Sequence, residues 1–186
     1  MVMQQYLTTL EHSWCELHCY YHFSEPQKIF NTLIAAYSEK QRAYHTFQHL
    51  YECLVLLESI RADLNDAYAV ELALWFHDAV YDPQAKDNEL KSVELFEQYL
   101  AEDLPTEIIQ KIKRWILATQ KHEATDELDL QFLLDMDLAI LAATPARFAE
   151  YEQQIQEEYA WVDLEIYANK RKEVLMHFYQ TEPLYQ

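Results

Sequence analysis

His77 and Asp78 stand directly after a hydrophobic run, in the segment ALWFHDAVYD (73–82). Residues Leu72 to Phe76 read as buried helix. A polar pair at the end of such a run costs several kcal/mol to bury unless both side chains are satisfied. A divalent cation would satisfy both. Two further groups could complete its shell, His49 upstream and Asp137 downstream. Two imidazoles and two carboxylates form a mixed nitrogen and oxygen set, which suits Mn, Fe, Co, Ni or Zn better than Ca. An ion of that kind lowers the pKa of a coordinated water and neutralises phosphate oxygens. The constellation therefore points to a metal-dependent hydrolase.

The elements that must position these groups are helices. Apolar residues recur near every 3.6 positions along the whole chain, and no segment argues for a strand. Nine helices are expected. They lie near 10–23, from Pro26 through Tyr37, 46–64, 66–78, 87–100, from Pro105 through Ile116, 126–143, from Pro145 through Tyr159, and from Asp163 through Phe178. His49 falls in step with Cys53, Leu56 and Ile60, at the edge of an apolar stripe, where it reads equally as a core histidine bonded to a carbonyl. His77 and Asp78 are helix neighbours about 100° apart. Both reach one ion only where the helix ends, and Tyr81-Asp82-Pro83 ends it nearby. In LLDMDLAIL (133–141) only one of two aspartates can face the core. Asp137 lies within the leucine stripe; Asp135 is placed behind it or at the surface.

Composition narrows the classes. The 186 residues suit one domain, 1–186, with a sizeable core. There is no glycine, which excludes Gly-rich phosphate loops and dinucleotide fingerprints. Fourteen basic against 32 acidic residues leave a charge of −18, which repels nucleic-acid backbones over any broad face and anionic membrane surfaces. Three cysteines form no disulfide framework, and no signal peptide or membrane span is legible; a cytoplasmic protein is expected. Cys15, His18, Cys19 and His22 mimic zinc spacing, but one straight helix cannot wrap an ion tetrahedrally. They read as a packed face.

The order His49, His77-Asp78, Asp137 resembles the HD superfamily of metal-dependent phosphohydrolases, and most closely a subgroup of predicted HD phosphohydrolases. The resemblance is carried by Tyr44-His45-Thr46-Phe47-Gln48-His49, ALWFHDAVYDP, Asn88-Glu89 with Ser92, Thr119 with His122, and LLDMDLAIL. It extends through Glu158-Tyr159 and Arg171. Ala142-Ala143 stand where a glycine is expected. The resemblance implies an all-α, single-domain helical bundle of the HD type holding one divalent ion, Mg included, on His49, His77, Asp78 and Asp137. It also implies Asp82 and Glu89 as catalytic acid or base groups, and His122 as a phosphate contact or ligand of a second ion. His45 is a substrate candidate, and Arg42, the nearest cation in sequence, a phosphate clamp.

The expected substrate is a nucleotide or another small phosphorylated metabolite. Two other classes remain open. A di-iron oxygenase would draw extra ligands from His45, His122 and Glu89. A non-catalytic nucleotide-binding module would keep its metal for stability. Fourteen tyrosines and four tryptophans leave room for a homodimer face.

Overall fold

The structure is a computed structural model that describes residues 2–181 and 184–185. Among the described residues it is all helical: α1 Val2–Tyr21, α2 Pro26–Ala36, α3 Phe47–Ile60, α4 Ala67–Phe76, α5 Asn88–Leu100, α6 Thr106–Ala118, α7 Leu128–Asp137, α8 Pro145–Glu158 and α9 Leu164–Gln180. Short 3-10 turns follow α3 at Arg61–Asp63 and α7 at Leu138–Ala142. None of these helices is long and apolar enough to cross a membrane.

The chain winds around α4. Every residue from Ala69 to Phe76 is buried, and α4 packs against α1, α3, α5, α6 and α7. A helix apolar all round belongs at such a centre. Its one charge, Glu71, accepts from Ser13 Oγ (2.6 Å) and from Arg61 Nη2 (2.9 Å). Burial pushes the Glu71 carboxyl above its ordinary range against these donors. A smaller cluster, Tyr44, Ile140, Tyr151 and Ile155, ties α8 to the 3-10 turn after α7.

Helix starts follow the expected chemistry. Thr46, Asp66, Thr144 and Asp163 accept backbone N–H bonds at their helix N-termini. Three boundaries differ from expectation. α1 begins well before residue 10, because the Tyr6 ring packs on Phe47 and Tyr51 of α3. α3 and α7 stop short of 64 and 143, each tightening into a 3-10 turn that satisfies terminal carbonyls without a glycine cap. Without glycine, two histidines take left-handed backbone, His22 (φ 59°) and His122 (φ 50°). Both close helix ends through N–H bonds, His22 to the carbonyl of His18 and His122 to that of Ala118.

Candidate metal centre

Three helices bring four side chains together at the seam between the two apolar clusters. α3 brings His49 from its first turn. α4 ends at Phe76, so His77 caps it and Asp78 turns away. α7 ends on Asp137. One donor atom from each of His49, His77, Asp78 and Asp137 lies within 4.8 Å of the other three.

The separations suit an ion. His77 Nε2 lies 3.2 Å from His49 Nε2, 3.1 Å from Asp78 Oδ2 and 3.5 Å from Asp137 Oδ1. His49 Nε2 lies 3.1 Å from Asp137 Oδ1 and 3.6 Å from Asp78 Oδ2. Metal–ligand bonds of about 2.1 Å put neighbouring ligands roughly 3.0–3.4 Å apart. The His77 tautomer also fits. Its Nδ1 sits 2.7 Å from the Leu74 carbonyl and must donate there, which leaves Nε2 as the nitrogen that would bind an ion in exchange for its own proton. The residues present therefore fit a divalent ion.

Electrostatics agree. Burial alone would lower the His77 pKa, but Asp78 and then Asp137 hold it well above the ordinary range. Burial alone would raise both carboxyls. The charge of His77, with His45, holds Asp78 well below its ordinary value. His77 and the hydrogen bond from His122 do the same for Asp137. Two buried carboxylates thus demand positive charge at their centre. Asp78 and Asp137 keep 18% and 15% of their side-chain area open, whereas the imidazoles are sealed. The open side faces a cavity of about 470 Å³.

His45, Glu89 and His122 line that cavity. His45 Nδ1 lies 2.7 Å from Glu158 Oε2, and its ring stacks on Tyr81 at 4.1 Å. Burial would lower its pKa; Asp78 and the Glu158 bond raise it instead. Glu89 Oε2, in the first turn of α5, accepts from Gln120 Nε2 at 3.0 Å. His122 Nε2 lies 2.9 Å from Asp137 Oδ2, so it steadies a carboxylate of the quartet and belongs to no second group of ligands among the described residues. His122→Ala is expected to weaken divalent-ion affinity about 10- to 100-fold, read by competition with a fluorescent chelator.

Two expected site residues lie elsewhere. Asp82 is exposed and absent from the cavity wall. Its Oδ1 accepts the Gln84 N–H (2.9 Å), and its own N–H donates to Asn88 Oδ1 (3.0 Å). It is a turn residue before a proline, and the structure does not bring it to the cavity that the other expected catalytic residue, Glu89, lines. Arg42 is no phosphate clamp. Its side chain has no exposed area. Its guanidinium donates to Glu39 Oε2 and to the carbonyls of His45, Asp78 and Ala79. It braces the turn that carries Asp78. Lysine cannot reproduce that fork, so Arg42→Lys is expected to lower the melting temperature by roughly 5–10 °C, measured by scanning calorimetry.

Glu158 is the residue whose role the sequence reading missed. It is buried at the end of α8 and accepts the backbone N–H groups of Ala43, Tyr44 and His45 (2.8, 2.8 and 2.9 Å). It also binds the His45 ring and the Tyr81 hydroxyl, each at 2.7 Å. Burial opposes its charge, yet the His45 contacts bring its pKa down to about 2. A signal was legible: Glu158 continues the Tyr151, Ile155 stripe at i+7. Cys15, His18, Cys19 and His22 form no common group, and both Cys15 and Cys19 are exposed.

No protein-family model matches the chain, and no curated protein or solved structure matches it either.

Proposed function

We propose that this chain is a metal-dependent phosphohydrolase of the HD type, acting on a small phosphorylated metabolite. The observation that carries the reading is the buried quartet of His49, His77, Asp78 and Asp137, open on one side to a cavity of ligand size. A divalent ion held there supplies a polarised water and a counter-charge for phosphate oxygens.

The chain's own residues do the rest. Asp78 and Asp137 keep the floor of the cavity anionic until a cation fills it. His122 holds Asp137 in one rotamer. His45, with Nδ1 committed to Glu158, keeps Nε2 for a proton on the substrate side. Glu89 offers a second carboxylate for proton transfer across the same cavity. The di-iron alternative draws no support from this arrangement: among the described residues only the one group His49, His77, Asp78 and Asp137 is placed to hold an ion.

The deciding experiment loads purified protein with Mn, Fe, Co, Ni, Zn or Mg in turn and screens nucleotides and sugar phosphates for phosphate release. Turnover with at least one pair, lost in His77→Ala, is expected. Turnover that survives that substitution would reject the reading.

A further inference from the structure

α4 and α9 are opposite kinds of helix. Every residue of α4 from Ala69 to Phe76 is buried, whereas α9, at 17 residues, has no buried residue. It also enters none of the close helix pairings that build the bundle. Leu164, Ile166, Met176 and Tyr179 stay exposed. The inner side of α9 is a stripe of Tyr167, Lys170, Arg171, Val174 and Phe178, at i, i+3, i+4, i+7 and i+11. All five line the cavity. Where a bundle helix presses its stripe on a core, α9 spans a hole of about 470 Å³. Val174 faces inward and is still 43% exposed for that reason.

Point contacts hold α9 in place. Arg171 Nε donates to Glu152 Oε1 at 3.1 Å, and its guanidinium lies 4.9 Å over the Tyr151 ring. Both partners belong to α8. The Tyr167 and Tyr159 rings are 6.4 Å apart. Beyond the helix, the Tyr185 hydroxyl donates to the Leu138 carbonyl at 3.2 Å. The turn 159–163, closed by the Val162 N–H on the Tyr159 carbonyl at 2.9 Å, joins α9 to α8. An element with so little buried apolar contact opens at low cost. A detached helix of this length is marginal in water, so it unwinds once it leaves α8. The opening matters for the quartet. Its imidazoles are sealed and only its carboxylates face the cavity, so an ion leaves the quartet by way of the space that α9 walls.

We propose that α9 is a gate on the metal centre: it detaches from α8 and unwinds as one unit beyond the turn 159–163, with Arg171 as its latch, and the quartet exchanges its ion and receives ligands through the opening. This rests on the quartet as a metal centre and adds how that centre is reached. Closed, the gate limits water at the site; open, it sets the rate of entry and release.

Two rates on the full, Mn-loaded chain test the gate: amide hydrogen exchange along α9, and release of Mn into excess EDTA. The amides of residues 168–180 should exchange as a block with one common opening equilibrium, at least about 100-fold less protected than those of α4. Glu152→Gln removes the charge that the latch grips. It should speed exchange of that block about fivefold, leave α4 unchanged, and speed Mn release by the same factor. Lys170→Gln is the control. Its partner Glu173 lies on α9 itself (2.7 Å), so both rates should stay at the wild-type values. Protection that falls off steadily toward residue 180 is end fraying and overturns the unit. Protection equal to that of α4 overturns the opening. Faster exchange in Glu152→Gln with unchanged Mn release overturns the gate. A chain that takes up no Mn rejects the metal centre and the gate with it, while the exchange pattern still decides whether α9 opens.

Discussion

Asp137→Ala is expected to abolish tight divalent-ion binding and to lower phosphoester turnover by about 10³-fold or more, since a catalytic ion supplies several kcal/mol of transition-state stabilisation. Asp137 is the most connected member of the quartet. Oδ1 faces His49 at 3.1 Å and His77 at 3.5 Å, while Oδ2 takes the His122 contact at 2.9 Å. Its loss removes one ligand and unties the imidazoles from their counter-charge at the same time. Two measurements separate these effects. Metal content of the purified variant, by mass spectrometry, should fall to background. The thermal stabilisation that excess Mn gives the wild-type chain, about 2.7 kcal/mol at a concentration 100 times Kd, should vanish in the variant. A variant that keeps both its ion and its activity contradicts the quartet as the metal centre.

The positions of these four groups were legible because burial makes polar residues conspicuous. A His-Asp pair after Leu-Ala-Leu-Trp-Phe, and an aspartate inside Leu133-Leu134 and Leu138, stand out against apolar surroundings. Residues in polar surroundings gave no such contrast. Asp82 and Arg42 sit in connectors where sequence proximity to the site was the whole argument. Chain proximity does not say which way a side chain points. Asp82 turned to its own loop, and Arg42 turned inward to carbonyls that no helix satisfies. Glu158 was hidden for the opposite reason. α8 carries Glu150, Glu152, Glu157 and Glu158, and nothing in composition distinguishes the one that folds inward. Only its phase with Tyr151 and Ile155 does. The helical order was readable throughout, while the 3-10 endings of α3 and α7 depended on how bare carbonyls were closed without glycine.

Glu158→Gln is the second large effect. The amide keeps the size of the side chain, and its oxygen can still accept the N–H groups of residues 43–45. Its NH₂ then faces the Tyr81 hydroxyl and the His45 ring nitrogen, which a carboxylate oxygen had served. The pKa of Glu158 falls from 4.5 to about 2 on folding, which corresponds to about 3 kcal/mol of stabilisation. The melting temperature at pH 7 should drop by roughly 6–12 °C. The sign with pH follows from that depressed value. The contribution is complete above pH 4.5, shrinks as pH falls, and is gone near pH 2, so wild type and variant should converge in acid. His45 moves the other way. Its raised pKa stabilises the fold below about 6.5 and is lost as pH climbs through the folded value, so the two contributions overlap between 4.5 and 6.5. In Glu158→Gln the His45 ring should titrate at lower pH, visible by NMR of the imidazole. A variant with wild-type melting behaviour across that range would show that Glu158 does not hold the 43–45 segment against the metal centre. The cavity floor and its α8 wall would then be independent units rather than one assembly clasped by a single buried carboxylate.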